Sequence, residues 1–273
     1  MAKLCEVLKV SRSGYYAWDK RPESKRARRR RELSAAVEKE FYDNKKILGS
    51  TKIAQKLSKS EASVNRKTVA AIMRDKGLKS RVVRKYKATT NSNHNLPVAE
   101  NLLNRDFSAT HPNKKWVSDI TYISTDEGWL YLAGVLDLCG REIVGWSMGE
   151  RMTKELVIGC LKQACGRRGD PIGALIHSDR GSQYCSLEYQ KELKQRGFIC
   201  SMSRKGNCYD NAPMESFWGK LKQEWLNGRH FRTREEAKSA IFWYIEVFYR
   251  RQRPHQSCGY MTPEEYTKAA ANF

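Results

Sequence analysis

Three consecutive runs of β-branched and aromatic residues restrict the possible folds of this chain more than any other feature. The runs are WVSDITYIST, GWLYLAGVLDL and REIVGWSMG, at residues 116–125, 128–138 and 141–149. Because short turn-like joints separate them, they are predicted to form three antiparallel strands in sequence order. Helical and strand-like segments then alternate: a helix from about Thr153 to Arg168, a strand from Ala174 to Ile176, a helix near Ser186–Arg196 and a strand from Phe198 to Ser203. This order predicts a mixed α/β fold whose sheet begins as a meander.

Positive charge is concentrated in the first third of the chain. The chain carries 51 Lys and Arg residues against 30 Asp and Glu, a formal net charge of +21, and residues 1–90 hold 26 of the basic and 9 of the acidic side chains. Such asymmetry favours a polyanionic partner, nucleic acid or an anionic membrane surface, over a merely solubilising face. No apolar run approaches the roughly 18 residues of a membrane span, and the start of the chain lacks the layout of a signal peptide. We therefore expect a cytoplasmic protein with no membrane partner.

Two short amphipathic segments within this basic third predict a helix-turn-helix. Apolar residues recur at helical spacing in Ile53–Leu57 and again in Val69–Met73. Asn65 is a suitable N-cap for the second helix, and Gly77 stands where a helix C-terminus favours a left-handed residue. The alternative is a basic helical hairpin that contacts another protein. DNA-contacting side chains are predicted on the second helix and just after it: Arg66, Lys67, Arg74, Lys79, Arg81, Arg84 and Lys85.

Three acidic residues occupy positions where a carboxylate suggests a functional role. Asp119 lies inside the first strand, where Asp is disfavoured and costly unless it is ligated or paired. Asp179 follows the later strand, at the edge where open α/β sheets tend to bind ligands. Glu215 lies in a helix that Asp210 or Asn211 would open. Each residue also has a plainer interpretation: a solvent-facing strand Asp, a turn Asp and a Glu on a helix face.

The three carboxylates would meet if the two strands are neighbours and the helix packs across their ends. Like charges repel strongly at such a point, so the arrangement is favourable only with divalent cations. A set of oxygen ligands favours Mg²⁺ or Mn²⁺ over zinc. Asp137, also near a strand end, is interpreted instead as a hairpin-turn residue whose charge pairs locally.

Three blocks of the sequence resemble the catalytic blocks of bacterial insertion-sequence transposases of the OrfB type, within the retroviral integrase superfamily. The blocks are WVSDITYI, HSDRGSQY and GNCYDNAPMESFWGKLKQEW. The 35 residues between Asp179 and Glu215 match the interval of that group. The segment LKVSRSGYYAW and the tail FYRRQRPHQSCGYMTPEEY resemble other parts of the same proteins, so the resemblance covers essentially the whole chain. The tail departs from the usual pattern at Arg250, where Asn is common, and at Cys258, where Leu is common.

The resemblance implies an RNase H-like catalytic core, a mixed five-stranded sheet with flanking helices, after a helical DNA-binding region. It implies that Asp119, Asp179 and Glu215 are the catalytic residues and hold two Mg²⁺ ions, for which Mn²⁺ can substitute. The implied activity is that of a DDE-type transposase, which cleaves DNA at the ends of an insertion sequence and joins the exposed 3′-hydroxyl to another phosphodiester. Two other functions remain open: a non-catalytic DNA-binding regulator derived from a transposase, and a metal-dependent nuclease that does not join strands.

Basic residues around the third block are further candidates for DNA contact. Lys222 follows Glu215 by seven residues and so returns to its face of the helix. Arg204 and Lys205 lie in the loop before that helix. We expect these three basic side chains to contact the DNA backbone, and the alternative for Lys222 is a solvated side chain.

The predicted organisation has five parts: a basic helical segment (1–30), a helix-turn-helix-like DNA-binding domain (31–90), a linker (91–109), the catalytic core (110–226) and a C-terminal helical extension (227–273). The resemblance implies element ends and target DNA as partners, in the bacterial nucleoid, and a homo-oligomer in the active complex. No heptad zipper is present in the chain. The resemblance therefore also implies a partner protein from an upstream reading frame, with its own helix-turn-helix and zipper.

Overall fold

The structure is a computed structural model, which describes residues 2–60, 63–81, 96–205 and 207–271. The chain divides into two compact units, Met1–Lys79 and Ser80–Phe273. Helices form the first unit, whereas the second is built on a five-stranded sheet. No helix in the four described stretches is long and apolar enough to cross a membrane.

The first unit confirms the predicted pair of helices and adds three before it. Its helices are α1 (Ala2–Val7), α2 (Arg12–Asp19), α3 (Lys25–Asp43), α4 (Ser50–Ser60) and α5 (Arg66–Asp75). Asn65 is the N-cap of α5, where its side chain accepts the backbone N–H of Lys67, and Gly77 follows α5 with a φ of 65°. Apolar side chains from α3, α4 and α5 form a small core: Val37, Phe41, Ile53, Leu57, Val69 and Ile72.

Helix α3 carries most of the dense cationic run of the first unit. Ser24 is its N-cap and accepts the backbone N–H of Ala27. The helix crosses residue 30, so the two predicted segments on either side of that position share one helix. Its ion pair Arg28–Glu32 is exposed and therefore contributes little to stability.

The second unit alternates strands and helices as the sequence predicts. Its strands are β1 (Lys115–Thr125), β2 (Gly128–Asp137), β3 (Glu142–Gly149), β4 (Leu175–Ser178) and β5 (Ile199–Met202). Its α-helices are α6 (Lys154–Arg168), α7 (Leu187–Gln195), α8 (Ala212–Leu221), α9 (Arg234–Phe242) and α10 (Pro263–Ala271). The ends of the five strands and of α6 and α7 lie within two residues of the predicted ends.

The strand order is β3-β2-β1-β4-β5. The first three strands pair antiparallel, whereas β4 pairs parallel with β1 and with β5. The predicted mixed sheet that begins as a meander is therefore confirmed. Strand β1 is central and much longer than β4, so it continues well past the last residue that pairs with β4.

Helices flank the sheet on its two faces. On one face, α6 and α7 pack through a buried cluster that includes Trp116, Leu161 and Tyr189. Gly145 in β3 allows this close packing, because a Cβ at that position would lie 2.5 Å from the carbonyl oxygen of Cys160. Side chains alternate along a strand, so Asp119, an odd number of residues from Trp116, points to the opposite face, which α8 covers.

Both α8 and α9 continue into π-helical stretches, Lys222–Leu226 and Trp243–Tyr249. A buried ion pair lies beside these stretches. Arg253 donates from Nε and Nη2 to the Glu224 carboxylate at 2.8 and 2.5 Å, and the Tyr244 hydroxyl donates to the same carboxylate at 2.7 Å. Arg253 and Glu224 are only 5% and 8% exposed. This buried ion pair therefore connects the C-terminal extension to the π-helical continuation of α8, the helix that contains Glu215.

Candidate active site

The register of β1 and β4 brings Asp119 and Asp179 close together. The last residue pair of these parallel strands is Val117 with His177. Each aspartate lies two residues beyond its member of that pair, so the two side chains leave neighbouring strands at equivalent positions. The three carboxylates were predicted to meet if the strands that carry Asp119 and Asp179 were neighbours. The pairing of β1 with β4 confirms that these strands are neighbours.

Glu215 comes from the first turn of α8. A 3₁₀ turn, Cys208–Asn211, leads into this helix. The Asn211 side-chain amide donates to the carbonyl oxygen of Ser118 at 2.9 Å. The start of α8 is thereby bound to β1 one residue before Asp119, which fixes the position of Glu215 relative to the aspartates.

Trp218 makes a second contact between α8 and β1. Its indole Nε1–H donates to Oδ2 of Asp119 at 3.1 Å. The ring is buried and packs against Gly134, the residue of β2 directly opposite Asp119. A Cβ at Gly134 would lie 2.8 Å from Cη2 of Trp218, so glycine is what leaves room for the ring. Trp218 is therefore a core residue that also donates a hydrogen bond to a carboxylate of the site.

The carboxylates of the site act on one another electrostatically. Burial raises the pKa of Asp119 well above its usual range, and the negative charges of Asp179 and Glu215 raise it further. Burial also raises the pKa of Glu215. A buried anion next to other anions is costly, and a cation between them would relieve that cost.

The donor set fits a divalent cation of the Mg²⁺ type, because it consists of three carboxylates that offer only oxygen ligands. However, the three carboxylates do not converge on one metal-binding position. Throughout the described residues, no group of three or more His, Cys, Asp and Glu side chains is arranged to hold a metal ion. Two of the carboxylates instead accept hydrogen bonds from the protein, Asp119 from Trp218 and Asp179 from the backbone N–H of Gly181 at 2.9 Å.

Lys222 lies beside this acidic group, at the start of the π-helical stretch. Burial lowers its pKa, and the charge of Asp119 opposes that effect. Its ammonium group also lies 5.0 Å from the centre of the Tyr122 ring, a cation–π contact. Lys222 is therefore only partly exposed and lies near the carboxylates.

The other two side chains predicted to contact DNA in this region, Arg204 and Lys205, differ in their surroundings. Lys205 is exposed, whereas Arg204 makes a bidentate ion pair with Asp210, with nitrogen–oxygen distances of 3.0 and 2.8 Å. Asp210 is fully buried and also accepts from Arg105 and Asn101. The sequence predicts Asp210 only as a residue that could open the helix of Glu215. In the structure it is the centre of a network that orders the loop before α8.

We expect Asp210→Asn to lower the free energy of unfolding by about 2 kcal/mol, because two charge-assisted hydrogen-bonded pairs are weakened. Arg204 lowers the pKa of Asp210 far below its usual value. This stabilisation is therefore complete at neutral pH and fades as the pH falls below about 4 toward the lowered pKa. Urea unfolding at several pH values measures it. Asp106→Asn, which removes an exposed partner of Lys115, is the matched control and should change little.

The predicted DNA contacts of the first unit lie on and after α5. Arg66, Lys67 and Arg74 are exposed on that helix, as the sequence predicts. Lys79 is exposed and Arg81 is half-buried beyond the helix, whereas Arg84 and Lys85 lie outside the described residues.

The interpretation of Asp137 needs a correction. Its carboxylate does accept a local hydrogen bond, from the backbone N–H of Cys139 at 2.8 Å. It is almost fully buried, however, and also accepts from the backbone N–H of Asn113 at 2.6 Å and the indole of Trp116 at 3.3 Å. Neutral donors, two of them distant in sequence, make the hydrogen bonds of this carboxylate. Burial raises its pKa, and the charge of Arg168 partly opposes that effect. Asp137 is a structural residue of the sheet end.

Comparison with known proteins identifies both units. Residues 28–86 match the HTH-like domain family, and residues 109–208 and 196–263 match two integrase core domain families. The chain is 47% identical to the 31 kDa protein of insertion element IS600 from Shigella sonnei, over 98% of this chain and 100% of that protein. It is 45% identical to transposase InsF for insertion sequence IS3A from Escherichia coli K12, over 96% of this chain and 92% of that protein. A solved structure, the HTLV-2 integrase catalytic core domain in complex with magnesium (trimeric form), is similar with a TM-score of 0.45 and 17% identity, over 59% of this chain and 99% of that chain.

Identity near one half along almost the full length of the relatives establishes the family. The order of the matched domains, HTH-like before integrase core, agrees with the order of the helical unit and the sheet-containing unit. The chain belongs to the IS3-type insertion-sequence transposases and carries an integrase core domain behind an HTH-like domain.

Proposed function

We propose that this transposase uses Asp119, Asp179 and Glu215 to catalyse Mg²⁺-dependent cleavage of DNA at element ends and transfer of the resulting 3′-hydroxyl to a new phosphodiester. The observation that carries the proposal is the geometry of the site: Asp119 and Asp179 extend from neighbouring parallel strands, and hydrogen bonds hold the helix that carries Glu215 against the first of them. A shared divalent cation would relieve the repulsion between these carboxylates and would supply the chemistry that DNA cleavage requires.

The proposed roles follow from the chemistry of each side chain. Two divalent cations, when bound, would activate the attacking oxygen and stabilise the leaving oxygen of an in-line displacement. Asp119 and Asp179 would hold the cations from the sheet, and Glu215 would complete the ligand set from α8. Lys222 would bind a DNA phosphate beside them. Water attacks in the cleavage step and the DNA 3′-hydroxyl attacks in the joining step, so no side-chain nucleophile is required.

A strand-transfer assay tests this proposal directly. The protein is incubated with Mg²⁺, a labelled oligonucleotide that carries the inverted repeat flanking its gene, and a target plasmid. We expect nicked oligonucleotide and a covalently joined product. Nicking without joining would instead identify a nuclease, and binding without either product would identify a DNA-binding regulator. Mn²⁺ is expected to replace Mg²⁺ in the assay.

Recognition of the element end is proposed to reside in the basic first third. The exposed basic side chains of α5 can enter a major groove while the following residues contact phosphates. The proposal keeps the predicted boundaries between the five parts of the chain, at residues 30, 90, 109 and 226. It also includes assembly of the transposase into a homo-oligomer and its cooperation with a protein from an upstream reading frame.

Replacing Arg66 and Lys67 together with Ala should weaken DNA binding and make it less sensitive to salt. The slope of log affinity against log salt concentration is negative, and each lost phosphate contact reduces its magnitude by about 0.9, so the double replacement should reduce it by nearly 2. Fluorescence anisotropy with labelled end DNA at several salt concentrations measures the slope. The control is the double replacement of Lys191 and Lys194, exposed on α7, which should leave it unchanged. Equal slopes in the two double variants would refute the assignment of α5.

A further inference from the structure

We infer that Trp218 is a positioning residue for the catalytic centre: it holds Asp119 in its metal-binding orientation and couples it to Glu215. This inference rests on the proposed function, because it assigns a task to a residue next to the proposed ligands. Trp218 itself would touch neither the metal nor the DNA.

The hydrogen bond leaves the binding capacity of Asp119 intact. The indole nitrogen contacts Oδ2 at 3.1 Å, and a carboxylate has two oxygens with about four lone-pair positions. The backbone N–H of Ile120 also donates to this carboxylate. The two N–H donors together restrict its rotation and still leave lone-pair positions for a cation. Hydrogen bonds of this kind to ligating groups typically change metal affinity by about 10- to 100-fold.

The residues around the Trp218 ring hold the indole in place for this hydrogen bond. Trp218 is only 3% exposed, and its neighbour Phe217 packs against it with ring centroids 5.0 Å apart. On the sheet side, the ring lies against Gly134, directly across from Asp119, where a Cβ would come within 2.8 Å of it. A larger residue at position 134 would push the ring away, so strand β2 also takes part in the positioning.

The position of Trp218 on α8 adds the coupling to Glu215. Residues three apart lie on the same face of a helix, so Glu215 and Trp218 both face β1. Asn211 binds the start of the helix to Ser118, and Trp218 binds the next turns to Asp119. These two contacts flank Glu215 and thereby set the separation between the helix carboxylate and the strand carboxylate.

The test compares two tryptophan variants that each lose one indole hydrogen bond. Trp218→Phe keeps a buried ring and loses the bond to Asp119. Trp225→Phe is the matched control, because Trp225 is equally buried in the same helical stretch and donates to the carbonyl oxygen of Ala240 at 2.8 Å. Mn²⁺ affinity is measured by titration calorimetry on the full chain, with Asp119→Asn as the reference for a lost ligand. Thermal unfolding is followed in parallel.

We expect Trp218→Phe to weaken Mn²⁺ binding by about 10- to 100-fold and Trp225→Phe by less than about twofold, at similar unfolding temperatures. Gly134→Ala should weaken binding similarly, and the double variant Gly134→Ala, Trp218→Phe should add little to either single effect. Equal Mn²⁺ affinity for Trp218→Phe and wild type, with Asp119→Asn impaired, would overturn the inference and leave the proposed function standing. Absence of Mn²⁺ binding by the wild-type protein would overturn both.

Discussion

Replacing Asp119 with Asn is expected to lower DNA cleavage and joining by at least about 10³-fold while DNA binding persists. The amide keeps the size of the side chain but removes the negative charge that a cation requires. A 10³-fold loss of rate corresponds to about 4 kcal/mol of transition-state stabilisation, which is what the metal would no longer provide. Asp179→Asn should have the same effect, because the two residues leave neighbouring strands at equivalent positions. The strand-transfer assay measures both reactions, and a gel-shift assay measures binding.

Asp126→Asn provides the control for this experiment. Asp126 follows β1 directly, is exposed and pairs with His230, so it tests whether any lost carboxylate near the strand impairs the reaction. We expect it to retain wild-type activity. Full activity of either Asp119→Asn or Asp179→Asn would exclude the assigned chemistry, and chelation of divalent ions with EDTA should abolish both reactions in the wild-type protein.

Arg253→Met should destabilise the second unit by about 3–5 kcal/mol. The change leaves the Glu224 carboxylate buried without its cation, and an uncompensated buried charge is among the most damaging defects a fold can carry. The Tyr244 hydroxyl still donates a hydrogen bond to this carboxylate, but it carries no compensating charge. Urea unfolding followed by tryptophan fluorescence measures the loss.

Two further variants determine whether the charge pair is the cause. Arg251→Met removes a neighbouring arginine that is exposed and makes only a 3.9 Å contact with Glu264, so its effect should be small. The double variant Glu224→Leu, Arg253→Met removes both charges and should be clearly more stable than Arg253→Met alone. If the double variant is no more stable than that single variant, lost packing rather than unpaired charge explains the defect.

Local sequence pattern was sufficient to predict the strands and the meander, whereas the five-stranded RNase H-like sheet was predicted from the resemblance. Strand alternation and short turns determine β1, β2 and β3, and the carboxyl ends of parallel strands meet at one edge by geometry. The sequence therefore predicted that Asp119 and Asp179 would meet if β1 and β4 were neighbours, and the structure supplies that pairing. Glu215 depended more on the resemblance, since a glutamate near a helix start has a simpler explanation in its favourable position.

The contacts that support the site were not predictable from local pattern. Trp218 and Asp119 are 99 residues apart, and an apolar residue at a helical position is normally just a core residue. The glycine at position 134 was the available signal, because a glycine inside a strand often marks the close approach of another group. Glu224 and Arg253 similarly occupy sequence stretches so rich in charge that they appear solvent-facing.

The buried ion pair between the third block and the tail has a consequence for the fate of damaged copies of such genes. A frameshift or premature stop codon between residues 224 and 253 spares all three proposed catalytic carboxylates, yet it removes the cation that neutralises Glu224. The shortened product should misfold and be degraded instead of persisting as a smaller nuclease. Decay of the reading frame from its 3′ end would therefore silence the element in a single step.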